Sequence, residues 1–199
     1  MFQFIQKGGP VMWPLLLTSV VSLTVVLDRL LFIISVKLSR HPEKIEEVLF
    51  RVEKGQIEEA IEAGEKSLDF VARTLVDGLK HRETSFSAAL LRAANQELKR
   101  FNRGLSILDT VITLAPLLGL LATVTGMIHA FGLLGHKELD SPTVITGGIA
   151  EALIGTAFGL AIAIVALIPF NYMNSQMEEA RHEIEDASTH LELLLKSQK

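Results

Sequence analysis

Cysteine is absent from this 199-residue chain, which excludes disulfide frameworks, thiolate metal sites and cysteine nucleophiles. Charge of one sign is missing as well. With 19 Lys and Arg against 23 Asp and Glu, the net charge is -4, and the charged stretches mix both signs as a solvated surface does. No nucleic-acid partner is expected. No phosphate loop, HExxH or GxSxG run occurs, and the six histidines lack metal-ligand spacing. No catalytic residue, metal or cofactor is therefore expected, and an enzyme reading has no supporting residues. Longer internal repeats and low-complexity tracts are missing too.

What is present is segregation. Mean hydropathy is positive, +0.37, although 21% of residues are charged, so very apolar segments must alternate with very charged ones. A membrane span needs about 20 mostly apolar residues. Three segments qualify: Val11 to Val36, Ile107 to Leu134 and Gly147 to Met173. Trp13 and Tyr172 are placed for the interfaces. A cleaved signal peptide is the other reading of the first segment. Its only basic lead residue is Lys7, it lacks a small-residue cleavage pattern, and Asp28-Arg29 falls in its second half.

Basic residues give the orientation. Of the 19 Lys and Arg, 13 fall between residues 37 and 106, while the 135–146 loop has Lys137 alone. By the positive-inside rule the long segment and the tail are expected to be cytoplasmic, with the N-terminus and the 135–146 loop outside. The expected organisation is an outer lead and first span over 1–36, and a cytoplasmic helical segment over 37–106. The second span (107–134), a periplasmic loop (135–146), the third span (147–173) and a cytoplasmic helical tail (174–199) follow. The fold class is an all-α membrane protein, with three transmembrane helices and long helical cytoplasmic extensions of the second and third spans.

Within the cytoplasmic segment, residues 45–79 read as short amphipathic helices broken near Gly55 and Gly64. Beyond them a stricter spacing of three and four runs through Leu91, Ala94, Leu98, Phe101, Leu105, Leu108 and Ile112. It continues into the second span as Ala115, Gly119, Ala122 and Gly126. A matching register descends from Leu194 through Leu191, Ala187, Ile184, Ala180, Met177, Met173 and Phe170 to Ala166, Ala163, Gly159, Thr156 and Ala152. Large side chains suit pairing in water. Small ones suit lipid, where close backbone approach replaces the hydrophobic drive. By itself such a seam is a packing face. Pro116 and Pro169 each remove a backbone hydrogen bond inside a span, which predicts helix kinks.

Glu151 is an acid inside an apolar run. Such a group costs several kcal/mol unless it is neutral, paired or wet, which makes it a candidate proton carrier. Two plainer readings stand beside that one: a carboxylate reaching water one turn inside the outer boundary, or an acid at the start of a helix. Thr123 and Thr156 lie deeper, one on each seam helix. Each either bonds its own backbone or coats a narrow pore. Glu151 and Thr156 are five positions apart, about 140° around a helix, so they cannot both point straight at one axis: either a pore is wide enough to be lined obliquely, or Glu151 serves a neighbouring contact. Asp28-Arg29 and Asp109 read as interfacial snorkelling or salt bridges. His129 is a lone imidazole and a weak candidate for proton relay.

LAPLLGLLATVTGMIHAF, Leu114 to Phe131, resembles the second span of the MotA/TolQ/ExbB proton-channel family. GGIAEALIGTAFGLAIAIVALIPFNYM, Gly147 to Met173, resembles its third. The order of segments is similar to the ExbB/TolQ branch over nearly the whole chain, with Ala122 where many relatives have glycine. The cytoplasmic segment resembles the family mainly in pattern. The resemblance implies a homo-pentamer in the bacterial inner membrane, around a dimer of a single-span protein similar to ExbD or TolR. It also implies that proton flow past the partner's aspartate drives rotation that does work in the periplasm or at the outer membrane. On that basis Glu151, Thr123 and Thr156 match polar pore positions. The small residues Gly119, Ala122, Gly126, Gly159 and Ala163 would let the helices slide past a partner. Protons are favoured, and sodium stays open. A passive oligomeric scaffold and a flagellar stator-type subunit are the alternatives. The stator branch has a fourth span, which the three spans here argue against.

Overall fold

The computed structural model describes residues 9–134 and 142–197. Lys7, residues 135–141 of the expected outer loop and the last two residues lie outside the described residues. Seven helices follow in chain order among the described residues: α1 Met12–Leu38, α2 Pro42–Glu53, α3 Ile57–Glu65, α4 Phe70–Lys80, α5 Arg82–Asn102, α6 Leu105–Leu134 and α7 Pro142–Ser197. No strand occurs among the described residues. The α1 helix, α6 and α7 each contain a stretch long and apolar enough to cross a membrane. The all-α fold with three such helices and long helical extensions is the one expected.

Two compact units divide the chain. The first comprises Met1–Asp28 with Gly104–Asn171, the second Arg29–Arg103 with Tyr172–Lys199. In the first, α6 and α7 run antiparallel at very close range. A Cβ added to Gly126 would stand 3.0 Å from the Cβ of Ala152, and one on Gly119 would stand 3.0 Å from Cα of Thr156. One on Gly148 would be 2.6 Å from the Cβ of Ala130, and one on Gly155 would collide with Ala122. Rising numbers on α7 thus meet falling numbers on α6, with glycine facing a small residue at each step. Such close approach is how helices associate without a hydrophobic drive. The opening turn of α1 adds Val11, Met12 and Leu15, buried in one cluster with Ala115, Ala122 and Ala163. Both helices continue through their prolines, Pro116 and Pro169.

The second unit has a conventional core. Val48 and Val52 of α2, Ala60 of α3, Phe70, Val71, Leu75 and Leu79 of α4, and Leu90 and Phe101 of α5 pack with Ala180, Ile184, Ala187 and Leu191 of α7. Phe101 makes edge-to-face contacts with Phe32 and Phe70, both at 5.3 Å between centroids. Asp69 caps α4 by accepting from the Val71 amide at 2.9 Å, which satisfies a donor the helix cannot.

Three expectations are corrected, and the breaks expected near Gly55 and Gly64 are found. The break expected near Gly64 is present, since α3 ends at Glu65; Gly64 itself lies inside that last turn, where a Cβ would stand 2.9 Å from Val48 and would also strike Val76. Close packing, not chain reversal, accounts for that glycine, whereas Gly55, with φ 75°, does end α2. The seam from Leu91 to Gly126 is not one continuous helix: Gly104, with φ 83°, separates α5 from α6. The spacing runs on across the break, with Phe101, Leu105 and Leu108 all buried; earlier in α5 the buried positions are Leu90, Ala93 and Glu97, with Ala94 and Leu98 half-buried and Leu91 65% exposed. Finally, α7 begins at Pro142, five residues before Gly147. Proline suits a first helical position because its missing N–H has no partner there anyway.

Candidate functional site

The early start of α7 decides one reading of Glu151. The residue sits well beyond the first turn, so it is not an acid placed at a helix start. Its carboxylate packs instead against Gly9, the residue leading into α1: a Cβ added there would land on Oε1 and stand 2.9 Å from Cδ. Gly9 has φ 70°, a left-handed conformation that glycine adopts without steric cost. Sequence reasoning missed Gly9, because nothing local to it signals a contact with a residue so distant in the chain.

Thr156 is occupied differently. Its hydroxyl donates to the carbonyl of Gly119 across the helix pair at 2.8 Å, and lies 3.3 Å from its own Ala152 carbonyl. Glu151 and Thr156 therefore leave α7 toward different neighbours, the turn ahead of α1 and α6 respectively. They do not face one point. Thr123, half-buried on α6, donates to the Leu120 carbonyl at 2.6 Å, the usual bond of a membrane-helix threonine to its own backbone. Gly119, Ala122, Gly126, Gly159 and Ala163 are all buried. At Gly159 a Cβ would collide with the Ala115 carbonyl and stand 3.1 Å from Cα of Gly119. Outward from this contact, Leu117, Leu120, Val124 and Ile128 of α6 and Leu153, Leu160, Ile164 and Ile168 of α7 are exposed. Those faces must be covered by acyl chains or by other protein.

Other polar candidates fall elsewhere. His129 and Asp109 are exposed on α6. Arg29 is buried, donates to the Arg100 carbonyl at 3.1 Å and stacks on Phe32. In the second unit, Arg40 bonds the buried Asp69 with one guanidinium nitrogen (3.4 Å) and Glu183 with the other (2.9 Å), lying over the Phe70 ring. Glu183 is held above the usual carboxylate range by burial, with Arg40 opposing that shift. Among the described residues no group of three or more His, Asp or Glu is arranged to hold a metal ion.

Residues 63–186 match the MotA/TolQ/ExbB proton channel family. The chain belongs to that family. Its ExbB/TolQ branch is marked by the relatives. An ExbB-like 1 biopolymer transport protein of Synechocystis sp. is 36% identical, over 94% of this chain and 76% of its own length. A second from the same organism, ExbB-like 3, is 32% identical over 84% of this chain and 82% of its own length. The Tol-Pal system protein TolQ of Haemophilus influenzae is 37% identical over a shorter stretch, 43% of this chain and 38% of its own length. A multi-pass membrane protein of the ExbB/TolQ type follows from the family and the three apolar helices together. The family match also takes in residues 63–103 of the second unit, part of the cytoplasmic segment whose sequence resemblance was one of pattern.

Proposed function

We propose that this chain is the multi-copy subunit of an ion-driven motor in the bacterial inner membrane. Five copies surround a dimer of a single-span protein similar to ExbD or TolR. Protons entering the assembly load and unload an aspartate on the partner, and the resulting rotation does work in the periplasm or at the outer membrane. The N-terminus and the 135–146 loop face the periplasm, while residues 37–106 and the tail after residue 173 are cytoplasmic. Glu151, Thr123 and Thr156 contribute the polar part of the ion pathway.

The observation that carries this reading is Glu151 itself, a half-buried carboxylate in the apolar stretch of α7 in a proton channel family member. Acids at membrane depth are costly and are retained chiefly along ion paths. The scale is adequate, since one charge crossing 100 mV releases about 2.3 kcal/mol. The exposed apolar faces of α6 and α7 leave room for neighbouring copies. Glu151→Gln tests the proposal in proteoliposomes containing the chain and a single-span partner with a membrane aspartate. Partner-dependent proton uptake should fall to background while assembly persists; uptake at the wild-type rate would overturn the proposal. Replacing protons by sodium as the only driving gradient in the same vesicles identifies the ion.

A second reading, a passive oligomeric scaffold, is favoured by Thr156, whose hydroxyl is engaged with Gly119 inside the subunit. Under that reading Glu151→Gln leaves both assembly and ion flux unchanged.

A further inference from the structure

We propose that the turn Gly9–Met12 is a cover over the Glu151 carboxylate, with Gly9 as the positioning residue that lets it close. The inference rests on the reading of Glu151 as an ion-handling group and adds how access to that group is set. At Gly9 the bare Cα faces Oε1 of Glu151, and any side chain would occupy the volume of the carboxylate, with Cδ 2.9 Å and Cγ 3.4 Å from a Cβ. The backbone φ of 70° independently disfavours every other residue. Two unrelated demands thus converge on one glycine.

The turn is fixed in place. Met12 N–H donates to the Gly9 carbonyl at 3.2 Å, Trp13 N–H to Pro10 at 3.3 Å and Leu15 N–H to Val11 at 3.3 Å. Met12 and Leu15 are 0% and 1% exposed, within the cluster that includes Ala115, Ala122 and Ala163. A strap held by buried side chains on one flank and resting on the acid on the other restricts water and ions at Oε1. Cα–H to oxygen contacts are weak, so the Gly9 end of the strap moves off the acid without a strong bond to it being broken, while Met12 and Leu15 stay anchored. That suits a gate better than a permanent seal.

The test modifies carboxylates of the full chain in vesicles with a water-soluble carbodiimide and an amine, and reads the Glu151 peptide by mass spectrometry. Gly9→Ala should raise the Glu151 modification rate several-fold. Gly55→Ala is the control: it carries a similar backbone burden, φ 75°, with nothing within 4 Å of the added Cβ, and should leave the rate unchanged. Equal rates in Gly9→Ala and wild type, or an equal rise in Gly55→Ala, would overturn the proposal. If Gly9→Ala is too unstable to label, combining it with Glu151→Ser should restore stability to the level of Gly55→Ala, because the colliding group is gone. No restoration also overturns it. Labelling reports access whether or not the acid conducts, so uptake surviving Glu151→Gln would sink the motor reading and leave this result standing.

Discussion

The hydroxyl of Thr156 donates to the main-chain carbonyl of Gly119 at 2.8 Å, a side-chain hydrogen bond that joins α7 to α6. Interhelical bonds of this kind contribute about 0.6 kcal/mol on average in membrane bundles, and up to about 1.7. Thr156→Val keeps the shape and removes the donor, so it should lower stability in detergent by about 1 kcal/mol. Thr156→Ser should lose less than half of that. Reversible unfolding in mixed micelles measures both. If proton uptake follows the same order, Thr156 acts by holding the helix pair; if Ser is inactive while Val is active, the methyl group matters instead.

Gly159 makes a sharper demand. Its position collides with the Ala115 carbonyl when a Cβ is added, and a carbonyl in a helix cannot swing aside as a side chain does. Gly159→Ala should cost about 1–3 kcal/mol, the range for overpacking a tight interior, and Gly159→Leu should prevent assembly. Gly132→Ala is the internal comparison, since nothing lies within 4 Å of that position. It should be neutral or slightly stabilising, because alanine is the better helix former. Thermal melting of the purified variants separates the three.

These contacts show which parts of the molecule were legible in the sequence. The α7 register from Ala152 to Leu194 was readable because a spacing of three and four persists through both solvents, and every member is buried or half-buried. In α5 the spacing holds at Phe101, and at Ala94 and Leu98, which are half-buried against the core, whereas Leu91 is exposed and Leu90 is buried beside it. The break near Gly64 was legible, but composition does not tell that this glycine also admits Val48 and Val76. The engagement of Thr156 with Gly119 and of Glu151 with Gly9 depends on which side of α7 meets which partner. Spacing gave only the angle between them. Asp69, by contrast, stands directly before the apolar run FVARTL and carried an ordinary capping signal that was passed over.

Asp69 should be the most sensitive polar residue of the charged unit. It is 1% exposed, accepts from the amides of Val71 and His41 at 2.9 and 3.0 Å, and neutralises one side of Arg40. Asp69→Ala removes the cap, worth about 1 kcal/mol, and orphans two amides with an arginine beside them. Stranding buried donors adds about 1–3 kcal/mol. Asp69→Asn keeps an acceptor for the cap and should recover roughly half of the loss. Hydrogen exchange across Phe70–Lys80 localises the effect: the opening turn of α4 should lose protection first in Asp69→Ala.

Glu183 gives the pH dependence a sign. Burial raises its pKa above the ordinary value, against the pull of Arg40, so the folded chain binds a proton there over a range in which the unfolded chain has released it. By linkage, stability then falls as pH rises from about 4.3, the usual glutamate value, through the raised folded value, and levels off above it. The opposite slope would be expected had the Arg40 bond at 2.9 Å dominated. Glu183→Gln has no proton to lose and should flatten that part of the profile. Around neutral pH the variant should be at least as stable as the wild type, provided the amide oxygen still accepts from Arg40. Melting temperatures measured every half pH unit from 4 to 8 check both statements. A wild-type profile that rises across the window, and flattens in Glu183→Gln, would mean that the ion pair outweighs burial at this position.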